Sequence, residues 1–343
     1  MTKDELYIQR CIDLAWLGGN NVKSNPLVGA LIVYEDQIIG EGYHQKYGNH
    51  HAEINALLSV KESDKKHLEN ATIYISLEPC NHNGKTPPCV TDLINSGIQK
   101  VVIGSTDPNP HMMGKSVNIL RSKGIQVEVG ICQEKTDFLI RKFVANMNGI
   151  PFVTIKFAQS KDFFIGQIGE RIQISGEGCS IFTHKLRADN DGILIGTKTA
   201  IIDNPSLTTR DYPGKSPLRI VFDRNESIPK KSKIICDDED ALILTTKSNY
   251  QIDRPNKKII VFENWELTHI LKIIYENGVH SLLVEGGAKI IKWFIKEKLW
   301  HDAMVITSRK VSLVEGIKSP IIKGKLIKSW QIQKDFVNHI VKI

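Results

Sequence analysis

The feature that most constrains this chain is an alternation of strand-like and helix-like segments that runs through it twice and breaks once, at Asn148-Gly149-Ile150-Pro151. Such alternation predicts α/β sheets with helices on their faces. With 343 residues, the chain is longer than a single hydrophobic core usually supports. The break is therefore read as a boundary, giving domains at 1–147 and 148–343. In the first half, Tyr7, Cys11, Leu14 and Ala15 predict a helix over 4–17, and the hairpin 28–34/38–42 follows it. A helix is expected over 51–60, a strand over 72–77, a helix over 88–95, strands over 101–104 and 126–129, and one helix over 133–146. The second half predicts strands near 152–157, 192–195, 218–222, 241–244, 258–262, 281–284 and 303–307.

No apolar run reaches the roughly 18 residues of a membrane span, and the N-terminal Met1-Thr2-Lys3-Asp4-Glu5 does not read as a secretory leader. Six cysteines in this length form no dense disulfide pattern, so reduced thiols and a cytoplasmic setting are expected. The formal charge of +7 is spread among acidic residues. It reads as solvated surface, with neither nucleic acid nor membrane as partner.

Three residues carry the first chemistry. His51, in His51-Ala52-Glu53, opens a predicted helix; Cys80 follows a strand after Pro79; Cys89 opens a further helix after Pro87-Pro88. One imidazole and two thiols suit a catalytic Zn²⁺ with its fourth position left for water. The sequence places these ligands at two helix starts, where the partial positive charge of the N-terminus favours both thiolates. Glu53, two residues past the histidine, is placed to carry a proton from water to a departing amine. This is the arrangement of hydrolytic zinc deaminases, except that eight residues separate the cysteines where the usual signature has two. Taken singly, each residue has an ordinary structural explanation. The ordered combination does not.

The longer spacer, together with Asn25-Pro26-Leu27-Val28-Gly29, Gly42-Tyr43-His44, Leu77-Glu78-Pro79-Cys80 and Asp107-Pro108-Asn109-Pro110, resembles the deaminase half of the bifunctional deaminase/reductase family of riboflavin biosynthesis. The resemblance implies a cytidine-deaminase-like three-layer domain acting on a diaminopyrimidinone that carries a phosphoribosylamino group. Asn25, His44, His82, Lys85 and Thr86 would hold that small molecule.

Further on, Arg187-Ala188-Asp189-Asn190-Asp191-Gly192 through Thr197 and Asp203-Asn204-Pro205-Ser206-Leu207-Thr208-Thr209-Arg210 resemble the reductase half of the same family, a dihydrofolate-reductase-like α/β domain. The resemblance implies NADPH as hydride donor to the ribose C1. Substrate would meet Arg187, Asp203, Leu207, Arg210 and Glu285, the arginines suiting bidentate phosphate binding. Cofactor would meet Ala158, Gln173, Thr199 and the turn Gly286-Gly287-Ala288, where a backbone can approach a pyrophosphate closely. Asp203 and Glu285 are the proton-donor candidates. A homodimer through the reductase domain is expected.

Where the family has Ser-x-Asp-Gly, this chain has Ser160-Lys161-Asp162-Phe163; Gln173-Ile174-Ser175 replaces a Trp-Ile-Thr/Ser block, and the late glycine-rich block is absent around 308–316. These departures admit an alternative in which the second domain is only a structural or dimerisation module. A third reading, a nucleic-acid-binding protein, would need salt-sensitive oligonucleotide affinity.

Overall fold

In the first helix, α1 (Lys3–Trp16), Ile8, Cys11, Ile12 and Ala15 face inward at helical spacing. Thr2 and Glu5 close its N-terminus as a capping box. The computed structural model describes residues 1–81 and 87–343. The chain folds as two compact units, Met1–Asn148 and Gly149–Ile343.

In the first unit the strands are β1 (Gly29–Tyr34), β2 (Gln37–Tyr43), β3 (Thr72–Leu77), β4 (Lys100–Ser105) and β5 (Gln126–Val129). They form one sheet in the order β2-β1-β3-β4-β5, antiparallel at β1 and parallel from β3 onward. The helices α2 (Ala52–Ser59), α3 (Cys89–Asn95) and α4 (Lys115–Ser122) contribute Ala52, Ala56, Val90, Leu93, Val117 and Leu120 to the core on one face. On the other face α1 packs with Leu139 of α5 (Gln133–Leu139) against Leu31, Tyr74 and Val102. The result is three layers. The helix expected over 133–146 is in fact two, α5 and α6 (Arg141–Met147), because Ile140 leaves helical geometry at φ −93°, ψ 6°.

The second unit begins with β6 (Phe152–Gln159), α7 (Glu177–Ala188), β7 (Gly192–Gly196) and α8 (Thr197–Asp203). β8 (Leu218–Phe222), α9 (Lys233–Cys236), β9 (Ala241–Thr245) and β10 (Lys257–Val261) follow. The chain then continues through α10 (Leu267–Glu276), β11 (Ser281–Glu285), α11 (Ala288–Lys296) and β12 (Asp302–Ser308) to the hairpin β13 (Lys325–Ile332)/β14 (Asp335–Val341). The nine strands lie in the order β10-β9-β8-β7-β11-β6-β12-β14-β13, parallel as far as β12 and antiparallel at the hairpin. Helices α10 and α11 cover one face through Ile270, Ile274, Ile291 and Phe294. Leu186, Ala200 and Ile234 cover the other. The chain steps outward from β7 to β10 and then returns, inserting β11 between β7 and β6. That reversal is where open α/β sheets bind ligands.

Candidate active sites

His51 is the N-cap of α2, and its carbonyl accepts the N–H of Asn55. Cys89 is the first residue of α3. Cys80, expected at a helix start, is not at one; it lies in the loop after β3, beside α3, where the Cys89 N–H donates to its sulfur at 3.3 Å. His51 Nδ1 lies 3.5 Å from Cys80 Sγ and 3.3 Å from Cys89 Sγ, and the three ligand atoms all fall within 4.8 Å of one another. Tetrahedral zinc with Zn–N of about 2.0–2.1 Å and Zn–S of about 2.3 Å requires N···S edges of roughly 3.5 Å. The donor set and its spacing fit the ion.

The hydrogen bond from Cys89 holds Cys80 down to about 4, and the same bond pushes Cys89 up, because the two sulfurs share one proton. Loading a metal requires that proton to leave. Glu53, on the first turn of α2, is buried, and burial raises its carboxyl to about 7 with Cys89 in hydrogen-bond reach.

Asn25 and His44 are brought together beside this cluster. Asn25 Nδ2 lies 3.0 Å from His44 Nε2, and His44 Nδ1 lies 3.0 Å from the His50 carbonyl. A carbonyl only accepts, so Nδ1 carries the proton and Nε2 accepts from Asn25. Burial lowers the imidazole pKa, in keeping with a neutral ring. Both ring nitrogens are thereby engaged, so His44 positions Asn25 and the His51 loop. His82, Lys85 and Thr86 lie outside the described residues.

Sequence reasoning missed the role of Glu78. Its buried carboxylate accepts the N–H groups of Asp107, Gly114 and Ser116 at 3.0, 2.9 and 3.1 Å, and the Ser116 hydroxyl donates to the Pro79 carbonyl at 2.6 Å. Two motifs that read separately in the sequence, Leu77–Cys80 and Asp107–Pro110, are thus one construction that fixes the backbone entering Cys80.

In the second unit, Glu285 at the end of β11 takes Arg187 Nη2 at 2.8 Å and Nε at 3.2 Å, while Arg187 Nη1 reaches the Thr208 carbonyl at 3.2 Å. Lys156 on the neighbouring β6 completes the group. Burial would raise Glu285, but Lys156 and Arg187 bring its carboxyl below the usual range; burial lowers Lys156. Lys156 was also missed. A lysine in an otherwise apolar run of a central strand is the mark that could have found it.

A cavity of about 400 Å³ is lined by Arg187, Leu207 and Arg210, and also by Arg171 and Lys233. Asp203 ends α8 immediately before the lining loop, and burial raises its carboxyl against the pull of Arg171. Buried His184 accepts the Arg210 N–H at 3.1 Å and sits 3.1 Å from Asp211, tying down the far end of the loop.

Gly286 (φ 103°) and Gly287 (φ 73°) turn the chain from β11 into α11, whose N-terminus no side chain caps. A Cβ on Gly286 would stand 3.2 Å from Thr199 Cγ2, so Thr199, Gly286, Gly287 and Ala288 form one cradle. Free amides on a close-approach backbone fit a dinucleotide pyrophosphate. Ala158 and Gln173 stand elsewhere. Ala158 packs with the small cluster of Cys179, Ile306 and Val337, and Gln173 lines a separate cavity of about 610 Å³ with Ser308, Lys310 and Asp335.

Among the described residues no helix is long and apolar enough to cross a membrane. Residues 1–105 match the cytidine and deoxycytidylate deaminase zinc-binding region, and residues 151–311 match the RibD C-terminal domain. A riboflavin biosynthesis protein RibD of Aquifex aeolicus is 35% identical over 321 residues, 92% of this chain and 89% of that protein. The chloroplastic riboflavin biosynthesis protein PYRD of Zea mays is 33% identical, covering 88% of this chain and 77% of its own. The crystal structure of a diaminohydroxyphosphoribosylaminopyrimidine deaminase/5-amino-6-(5-phosphoribosylamino)uracil reductase of Thermotoga maritima superposes with TM-score 0.85 at 30% identity, over 99% of both chains. The chain belongs to the RibD family, the bifunctional zinc-dependent deaminases and NADPH-dependent reductases of riboflavin biosynthesis.

Proposed function

We propose the following division of labour among the residues of this chain. In the first unit His51, Cys80 and Cys89 hold zinc; Glu53 is the proton carrier; Asn25, positioned by His44, meets the pyrimidine, with Lys85 and Thr86 on the spacer between the cysteines. In the second unit Arg187, Asp203, Leu207 and Arg210 hold the deaminated intermediate, Glu285 serves the proton transfer, and Thr199 with Gly286-Gly287-Ala288 receives the cofactor. When bound, zinc supplies Lewis acidity toward water and NADPH supplies a hydride. Glu53 accepts a proton from water as it adds to the ring carbon and returns a proton to the departing amine, which leaves as ammonia. In the reductase, Arg187 holds the Glu285 carboxyl in place beside the cavity. The residues proposed for the zinc site all lie in the first unit and those proposed for the reductase in the second, which supports assigning the deaminase to residues 1–147 and the reductase to 148–343. A cytoplasmic homodimer through the reductase domain completes the proposal.

The observation that carries this reading is the His51, Cys80 and Cys89 cluster with buried Glu53 on the helix that His51 caps. Glu53→Gln is expected to keep bound zinc while losing all but about 1% of deamination, in line with the 10²–10⁴-fold value of general acid–base catalysis. Cys80→Ser and His51→Ala should lose metal and activity together. Elemental analysis beside an ammonia-release assay reads both, and a Glu53→Gln protein that still deaminates at wild-type rate contradicts the assignment.

A further inference from the structure

We propose that Arg171 and Lys233 are the residues that select a phosphorylated, dianionic intermediate in the reductase cavity, a role separate from that of the Arg187 guanidinium. The inference rests on the reductase reading given above. Four cations, Arg171, Arg187, Arg210 and Lys233, line the cavity together with the loop Asn204–Thr208, and among the described residues no carboxylate does. Their charges are not equally free. Arg187 commits two N–H groups to Glu285 and a third to the Thr208 carbonyl, with the pair only 12% and 11% exposed, so its charge is already matched. Arg210 has Asp211 at 3.9 Å. Among the described residues, neither Arg171 nor Lys233 forms an ion pair; the Asp203 carboxyl only feels the charge of Arg171 without bonding to it.

The backbone fixes Lys233 at the cavity. The Lys233 N–H donates to Asn204 Oδ1 at 2.8 Å, fixing the start of α9 to the cavity loop. Within that loop Asn204 (φ 40°) and buried Leu207 (φ 60°) both adopt the left-handed region without being glycine. Strain of this kind persists where surrounding structure over-determines it, typically at binding sites. A phosphate monoester carries between one and two negative charges near neutrality, with its second ionisation at about 6. Two cations without an ion pair, lining one cavity with a strained loop, answer that charge, whereas the charge of Arg187 is already shared with Glu285.

The test uses the full chain with Arg171→Ala, Lys233→Ala and the double variant. Reduction of 5-amino-6-(5-phosphoribosylamino)uracil is compared with that of its dephosphorylated riboside. Each charge-assisted contact is expected to be worth roughly tenfold in KM for the phosphorylated compound. The preference for it over the riboside should fall by a similar factor, and Arg171→Lys should recover part of the loss. An equal change for both compounds, or none, overturns the proposal. Should the unaltered protein reduce neither compound, the reductase reading fails, and calorimetry with ribose 5-phosphate then decides the site independently. Binding by the parent protein that is lost in the double variant supports the inference; equal binding by both, or none by the parent, overturns it.

Discussion

Phe163 shows how a departure from a family pattern can leave the backbone intact. It stands where the pattern has glycine, yet it keeps the left-handed conformation at φ 65°, donates its N–H to the Ser160 carbonyl at 3.1 Å, and leaves its ring 60% exposed. The neighbouring Asp162 carboxylate accepts from Ser160, Ser312, Leu313 and Val314, so the turn is held from several sides. A bulky residue in this region costs roughly 1–2 kcal/mol. Phe163→Gly is therefore expected to stabilise the second unit by about 1 kcal/mol in urea unfolding, and a destabilised variant would show that the ring makes a contact worth more than the strain. Glu285 gives a pH-dependent counterpart. Its folded-state pKa is depressed by Lys156 and Arg187, so its stabilising contribution is full above the ordinary carboxyl value of 4.5 and is lost as pH falls through the lower folded value. Removing one partner of a buried pair costs about 3 kcal/mol. Glu285→Gln should show that deficit at neutral pH, and the gap to the parent should close in acid. Tryptophan fluorescence suits both measurements, because Trp265, Trp293, Trp300 and Trp330 lie in the second unit and only Trp16 in the first. A deficit independent of pH would contradict the ion-pair account.

At the scale of elements, the zinc ligands depend on how α2 seats on β2. A Cβ on Gly42 would come within 2.2 Å of the Ala56 backbone nitrogen and 2.4 Å of the Ala52 carbonyl, neither of which can move without moving the helix. Gly42→Ala is expected to cost roughly 2–3 kcal/mol, at the upper end of overpacking effects, and to weaken zinc retention because His51 caps that helix. Elemental analysis after dialysis against chelator reads the second effect, and undiminished zinc would separate helix seating from the ligand set. Strands that are apolar almost throughout, such as Gly192–Gly196 and Ala241–Thr245, were legible in the sequence because burial on both faces leaves a plain signature. The terminal hairpin was not. β13 carries Lys325, Lys328, Ser329 and Gln331 and is mostly exposed at the edge of the sheet, so no periodicity separates it from a loop. The break at Ile140 escaped for another reason: no glycine or proline marks it, and both Leu139 and Ile140 are buried by tertiary packing.

On the scale of the whole molecule, motif residues near in sequence to the chemistry were legible, and partners contributed by distant strands or loops were not. His51, Glu53, Cys80 and Cys89 declare themselves through residue type and spacing, whereas Lys156, Glu78, Arg171 and Lys233 acquire meaning only when the topology brings them to a carboxylate, a ligand-bearing loop or a cavity. The central claim is that two sites act in a fixed order, the first needing no nicotinamide and the second needing the product of the first. Ammonia release and NADPH oxidation, followed together from the diaminopyrimidinone in the parent protein and in Glu53→Gln, test it most directly. The parent should release ammonia with or without NADPH and oxidise one NADPH for each ammonia released. Glu53→Gln should do neither until supplied with the deaminated intermediate, when NADPH oxidation returns at the parent rate. Oxidation of NADPH by Glu53→Gln from the aminated compound, or ammonia release by the parent only when NADPH is present, would contradict the account.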